Sequence, residues 1–321
     1  MSISTVPFFI LILIFLIGLL LIVKGGDAFV DAASWIAEVS GIPQFVIGAT
    51  IVSVATTLPE MLVSCFAAAS GSVDMAIGNA IGSVTANTGL ILAIALICMP
   101  GIAKRGDYLA KSLLLICAVG TLMIFSRSGS LSPVGSVILI ALFVAFLIEN
   151  VHSARKGRAN AAEEARPAAE GKTIARNVLL FVLGAAGIVA GAQLLVNSSK
   201  EIATRLNVPE LVIAVTIVAV GTSLPELVTT ITAILKKQAS LSAGNVIGAN
   251  LIDTALILPI CGLISGKALP ISAKSLALDF PACLAVTLIA LVPTLITQKF
   301  QKWQGFLLLA VYIGYLALVI L

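Results

Sequence analysis

The chain has 321 residues, of which 60% are apolar and 11% charged, and its net charge is +4. Soluble chains carry about 25% charged residues because water has to meet a surface, so soluble domains are excluded and the outer surface must face lipid. A single His and three Tyr leave little for soluble acid–base chemistry; no enzyme activity, cofactor or nucleic-acid partner is expected. The five Cys (Cys65, Cys98, Cys117, Cys261, Cys283) lie in apolar runs without metal-ligand spacing and read as buried small hydrophobes rather than a disulfide framework.

A helix needs roughly 20 apolar residues to cross the hydrocarbon. In chain order, spans are expected near 7–24, 43–70, 74–100, 108–126, 131–151, 177–196, 209–235, 240–265, 275–297 and 303–321. The first has no Lys or Arg before it, unlike a cleaved signal peptide, so it is expected to persist. The amphipathic stretch that follows, GGDAFVDAASWIAEVSG, is expected to prolong it. Ten spans put both termini on one side. With the N-terminus outside, 14 Lys and Arg fall in cytoplasmic segments and 5 in outer ones, so the positive-inside rule places both ends outside.

Residues 152–175 are Ala-rich and mixed in charge, which reads as a solvated cytoplasmic linker between two halves, 1–151 and 176–321. Asp27, Asp31 and Glu38 are expected on a solvated helix extension, and Lys236 and Lys237 to snorkel to water. Asp279 is expected at a helix end or interface. Trp35 and Trp303 suit the membrane interface.

Shifting the chain by 166 positions lays PQFVIGATIVSVATTLPE (43–60) on PELVIAVTIVAVGTSLPE (209–226), with 11 of 18 positions identical. At the same offset GNAIGSVTAN (78–87) falls on GNVIGANLID (244–253). An ungapped register over this length is a duplication. Each half holds five spans, so the second copy enters the membrane from the opposite side. Inverted repeats of this kind characterise secondary transporters, whose site lies near the midplane at the repeat interface. The expected fold is an all-α membrane bundle of ten helices in two inverted five-helix repeats, with broken helices at the midplane.

Three carboxylates, Glu60, Glu226 and Asp253, fall deep inside apolar spans, each at a cost of ~2.5–3.5 kcal/mol or more at a helix centre. No Lys, Arg or His lies at comparable depth in those spans, so the missing partner is a cation from solution. Hard cations take oxygen ligands. Pro59 and Pro225 lack an N–H and clash with the carbonyl four residues back, so each helix is expected to break or kink there, freeing carbonyls near Ser53 and Ala219. The hydroxyls of Thr56, Thr57, Thr222 and Ser223 add acceptors. Thr57-x-x-Glu60 and Ser223-x-x-Glu226 also match a helix capping box, which accounts for one copy at a water-facing helix end but not for two beside a third acid. Gly78/Gly82 and Gly244/Gly248 have small-residue packing spacing. Asn79 and Asn245 suit interhelical bonding or ion contact alike, and Asn87 and Asp253 occupy equivalent positions in the two halves.

GATIVSVATTLPE with GNAIGS, repeated as AVTIVAVGTSLPE with GNVIGA, resembles the two alpha repeats of the cation/calcium exchanger superfamily, and is most similar to prokaryotic sodium/calcium antiporters. The resemblance implies a plasma-membrane antiporter with a site among the second, third, seventh and eighth helices. It implies Glu60 and Glu226 as central ligands shared by calcium and sodium. Thr56, Thr57, Ser83 and the Ser53 carbonyl would form one flanking sodium site; Thr222, Ser223 and the Ala219 carbonyl would form the other. Asn87 and Asp253 would take the middle position, and Thr50 and Thr216 lie further along the same helices. Two residues depart from the family pattern: Ala55 replaces a Gly, and Ala249 replaces a Ser, removing one hydroxyl from a flanking sodium site.

Formal charge at the site is −3, which three sodium ions balance; one calcium leaves −1 unless a carboxylate, for which Asp253 is the candidate, holds a proton. The expected mechanism is electrogenic sodium/calcium exchange by alternating access. Proton/calcium (or other divalent cation) exchange on the same fold is the alternative. An intramembrane hydrolase is a remote one, since the only His, His152, lies in the linker.

Overall fold

The computed structural model describes residues 6–102, 105–160, 171–207, 221, 223–266 and 269–320. Ten helices are seen among them: α1 (Phe8–Ser40), α2 (Gln44–Ala69), α3 (Val73–Cys98), α4 (Arg105–Phe125), α5 (Pro133–Asn160), α6 (Gly171–Arg205), α7 (Leu224–Leu235), α8 (Ala239–Ser265), α9 (Ser275–Thr297) and α10 (Lys302–Ile320). All but α7 contain an apolar stretch long enough to cross a membrane. The first part of the seventh expected span, 209–220, lies outside the described residues. The helix α1 runs unbroken through the amphipathic stretch for 33 residues, about 50 Å at 1.5 Å per residue, and so must tilt in a bilayer of about 30 Å. Helix α5 enters the 152–175 segment as far as Asn160, and α6 starts at Gly171.

Apolar side chains such as Phe9, Leu20, Phe66, Leu235 and Ile296 are exposed around the outside, which is the arrangement lipid requires, while many Ser, Thr and Asn side chains and three acids, Glu60, Glu226 and Asp253, are buried in the interior. The five Cys divide: Cys261 and Cys283 are buried, Cys65 is half-buried, and Cys98 and Cys117 are exposed. A thiol is apolar enough to face lipid, so the expectation that all five are buried fails for two.

Two short antiparallel strand pairs join the loops. β1 (Gly101–Ile102) pairs with β4 (Lys299–Phe300), and β2 (Ser130–Leu131) with β3 (Leu269–Pro270). Each pair joins two loops that the ten-span topology assigns to one and the same side.

Backbone contact sets the helix packing. A Cβ on Gly48 would run into the Leu241 carbonyl, and one on Gly244 into the Phe45 carbonyl; α2 and α8 meet backbone to backbone. Helices α1 and α6 do the same. A Cβ on Gly18 would lie 2.9 Å from the Gly191 carbonyl oxygen, and one on Gly25 would lie 2.9 Å from that of Gly184. The 166-residue offset turns Gly18 into Gly184 and Gly25 into Gly191, so these two contacts are images of each other across the repeat axis.

Of the break or kink expected at Pro59, the break does not occur: α2 stays helical through it. A proline costs an intrahelical bond and a steric clash, and the surrounding packing holds the helix against both. Irregularity comes elsewhere, as π-helical turns at Gly48–Val52, Asn87–Leu92, Asp253–Ile257 and Ser275–Asp279. In the second repeat a new helix, α7, does start at the motif, with Ser223 at its N-cap and Pro225 in its first turn.

Candidate functional site

Helices α2, α3, α7 and α8 bring the acids together in the bundle interior. Glu60, Glu226 and Asp253 are each fully buried. The helix that carries Glu60 packs against both α7 and the turn that begins at Asp253. Among the described residues no three His, Cys, Asp or Glu converge as a ready-made metal cage, so oxygens from amides and hydroxyls must complete any coordination shell. Thr56, Thr57, Ser53, Ser83, Asn87 and Ser223 are all buried. Thr222, Ala219 and Thr216 lie outside the described residues.

Hydrogen bonding separates the oxygens already committed from those that are free. Thr57 donates its hydroxyl to Oε1 of Glu226 at 3.1 Å, and Thr56 donates to Oδ1 of Asn245 at 3.3 Å. Both bonds cross between the repeats. The Ser53 hydroxyl is turned back onto the Thr50 carbonyl at 3.0 Å, and Thr50 onto the Val46 carbonyl at 2.6 Å, while the Ser53 carbonyl lies 3.4 Å from the Thr56 hydroxyl, which is shared with Asn245. Both oxygens of Glu60, both of Asp253, Oε2 of Glu226, Oδ1 of Asn87 and the hydroxyls of Ser83 and Ser223 are buried without a partner. Buried polar groups are normally hydrogen-bonded, and each exception needs an explanation. The ion pairs that are seen lie elsewhere, joining Lys111 to Glu149, Arg205 to Glu201, and Lys236 to Asp27 and Asp31.

The capping alternative meets a direct test. Ser223 holds the N-cap position of α7 and Glu226 lies in the first turn, yet no side-chain capping bond forms and the Ser223 hydroxyl is unpartnered. Thr57 is in mid-helix. The oxygens that are buried and without partners are of the chemical class that hard cations take as ligands.

The two motif asparagines differ. Asn79 spends its amide on the Glu60 carbonyl at 3.2 Å and the Ser64 hydroxyl at 2.9 Å, bracing α3 against α2. Asn245 accepts from Thr56 through its oxygen and leaves its amide nitrogen unpartnered.

Other polar features escaped the sequence reading. Asn87 and Asp253, equivalent by the repeat, each begin a π-helical turn, a feature often found at functional sites; residue types alone do not announce it. Asn250 donates to the Thr88 hydroxyl at 2.8 Å and keeps Oδ1 free, and the Thr229 and Thr230 hydroxyls, one turn past Glu226, are buried and unpartnered. The counterparts of Asn250 and Thr229 in the first repeat are Val84 and Val63, so the duplication did not single them out. Asp279 accepts from the Tyr315 hydroxyl at 3.0 Å.

Comparison with known proteins bears on family and fold. The family described as sodium/calcium exchanger protein matches residues 10–150 and 176–321. An uncharacterised membrane protein of Methanocaldococcus jannaschii is 33% identical over 93% of this chain and 94% of its own length. The sodium/calcium exchanger MaX1 of Methanosarcina acetivorans is 32% identical over 95% of this chain and 97% of its own. Among solved structures, the sodium-calcium exchanger NCX_Mj soaked with sodium and strontium superposes with a TM-score of 0.83 at 30% identity, covering 97% of this chain and 99% of the other.

Proposed function

The chain belongs to the sodium/calcium exchanger family, and from that premise we propose that it exchanges sodium for calcium by alternating access at the Glu60, Glu226 and Asp253 site. Its relatives of known type, MaX1 and NCX_Mj, are transporters rather than enzymes, which sets the hydrolase reading aside.

The observation that carries the proposal is the set of buried oxygens without donors. Glu60 and Asp253 offer both carboxylate oxygens, and Glu226, Asn87, Ser83 and Ser223 offer one oxygen each. Leaving a buried acceptor unsatisfied costs roughly 1–3 kcal/mol, and more when it is charged. Dehydrated cations supply the missing positive charge. Calcium takes the central carboxylates, and sodium ions take the same carboxylates together with the flanking hydroxyls and carbonyls, those of Thr222 and Ala219 included. The two ions therefore exclude each other. An ion-free site gathers three negative charges in a low-dielectric interior, where like charges repel strongly. Occlusion without cargo is therefore disfavoured, and exchange wins over leak.

Three sodium ions against one calcium carry one net charge per cycle, so the exchange is electrogenic. Ala249 removes a hydroxyl beside the second flanking site, while Ser83 keeps its hydroxyl on the first; the Ala249 side binds sodium more weakly. By the positive-inside rule the termini lie outside and the 152–175 segment in the cytoplasm, in two units, 1–151 and 176–321.

The test is radiolabelled calcium flux in proteoliposomes under a sodium gradient, a pH gradient or neither. Sodium-driven flux that changes with membrane potential is expected. Uptake driven by a pH gradient with sodium absent would replace this reading with proton/calcium exchange.

A further inference from the structure

The two ends of the α1–α6 pair are not alike. The 166-residue offset sets Asp27 and Asp31 of α1 on Gln193 and Asn197 of α6, and sets Lys236, just past α7, on Ser70, just past α2. Near the end of α6 a crevice of ≈ 180 Å³ opens between α2, α6 and α7, where it is lined by Pro59, Pro225, Ala192, Gln193 and Asn197 among others. Its prolines are the neighbours of Glu60 and Glu226. The Ser70 hydroxyl bonds the Ala67 carbonyl of its own helix at 2.9 Å, and the Gln193 and Asn197 amides are exposed.

The mirror-related place, between α1 and α7, is shut. A Cβ on Gly26, the counterpart of Ala192, would lie 2.9 Å from Oγ1 of Thr232 and 3.0 Å from Cγ1 of Val228. One turn further on, the Lys236 ammonium lies 2.8 Å from Oδ1 of Asp31 and 3.5 Å from Oδ1 of Asp27, and donates to the Asp27 carbonyl at 2.9 Å. Lys236 keeps a quarter of its side chain exposed and pairs with Asp27 and Asp31, which stay largely open to solvent.

We infer that Lys236 is a positioning residue that latches α1 to α7 and closes the mouth on its side, while among the described residues the amide-lined mouth at Gln193 and Asn197 has no such latch. Because α1 and α6 pack backbone to backbone at Gly18, Gly25, Gly184 and Gly191, closure at one end and opening at the other are two ends of a single displacement. The latch therefore biases the ion-free protein toward exposing its site on the Gln193/Asn197 side. Partly exposed ion pairs are individually weak, so the bias is adjustable rather than absolute: roughly two- to tenfold in the ratio of the two states. This inference rests on the proposed exchange reading only for its functional consequence; the latch itself exists without ions.

The experiment uses the full chain in lipid nanodiscs without sodium or calcium. Backbone hydrogen exchange is followed over 23–31 and 228–236 on one side and over 189–197 on the other, in Lys236→Met and in Asp31→Asn. Exchange is expected to rise at the first two segments and fall at the third, with Lys236→Arg behaving as the parent chain. An unchanged pattern, or a rise at 23–31 and 228–236 with no fall at 189–197, overturns the inference by reducing Lys236 to a local brace. In proteoliposomes the same variants should shift the calcium KM on the two sides in opposite directions, by about the factor given above. Parallel shifts on both sides would also refute it. Failure of sodium coupling leaves the exchange pattern unaffected, so the two readings fail separately.

Discussion

The Thr57 hydroxyl of the first repeat donates to Oε1 of Glu226 in the second at 3.1 Å, and this bond has no mirror image. Its symmetry mate would join Ser223 to Glu60, but the Ser223 hydroxyl and both Glu60 oxygens are unpartnered. One acid is tethered, and the other carries no hydrogen bond at either oxygen. Removing the tether with Thr57→Val frees Glu226 to move. A hydrogen bond to a charged group is worth about 1.5 kcal/mol or more, so the calcium KM should rise roughly tenfold, with Thr57→Ser close to the parent. Calcium flux at graded concentrations measures it; an unchanged KM in the Val variant would show the tether to be idle.

Glu60→Gln should lose transport without losing the fold. Burying uncompensated charge is costly, and a neutral amide removes one of three clustered negative charges. Sodium-driven calcium flux is expected to drop to background, while the thermal midpoint of the ion-free protein holds or rises. A fall in that midpoint would mean that Glu60 is needed for folding rather than for cargo.

Calcium should stabilise the parent chain and not this variant. A ligand bound only by the folded state adds about 2.7 kcal/mol at a hundredfold excess over Kd. Thermal unfolding with and without calcium reads the difference, and an equal shift in Glu60→Gln would move calcium to another site.

Ala249→Ser returns a hydroxyl to the second flanking site. One added hydrogen-bonding oxygen is worth about 1 kcal/mol, so the sodium concentration for half-maximal calcium release should fall about fivefold. Sodium titration of preloaded vesicles decides it.

Gly244→Val should destabilise the fold itself, because its side chain would displace the Phe45 carbonyl, and backbone cannot rotate away as a side chain does. Overpacking typically costs about 1–3 kcal/mol, seen as a lowered thermal midpoint. Gly314→Ala in α10, where nothing stands within 4 Å of the added Cβ, is the matched control and should be neutral or slightly stabilising.

Much of this was legible in one dimension. Hydropathy located the spans, and the offset of 166 exposed the duplication. The absence of deep Lys, Arg or His beside Glu60, Glu226 and Asp253 pointed to cations before any contact was visible. Pro59 does not break α2, because a lost backbone bond is a local cost whereas the outcome depends on packing around the helix. Asn79 and Asn245 look the same in sequence, yet one braces a carbonyl and the other accepts from Thr56; only the neighbours brought in by folding decide between those uses.

Composition and repetition by themselves determined a lipid-embedded chain of two inverted halves with three acids at its centre, because burial cost and periodicity are properties of residue type and spacing. The tertiary structure decided which oxygens are already spent and which stay open, where the backbone loosens into π-helical turns, and that Lys236 reaches back across 209 positions to the Asp27 carbonyl. Such pairings depend on helix rotation and on approach distances of a few tenths of an ångström, which no pattern along the chain encodes.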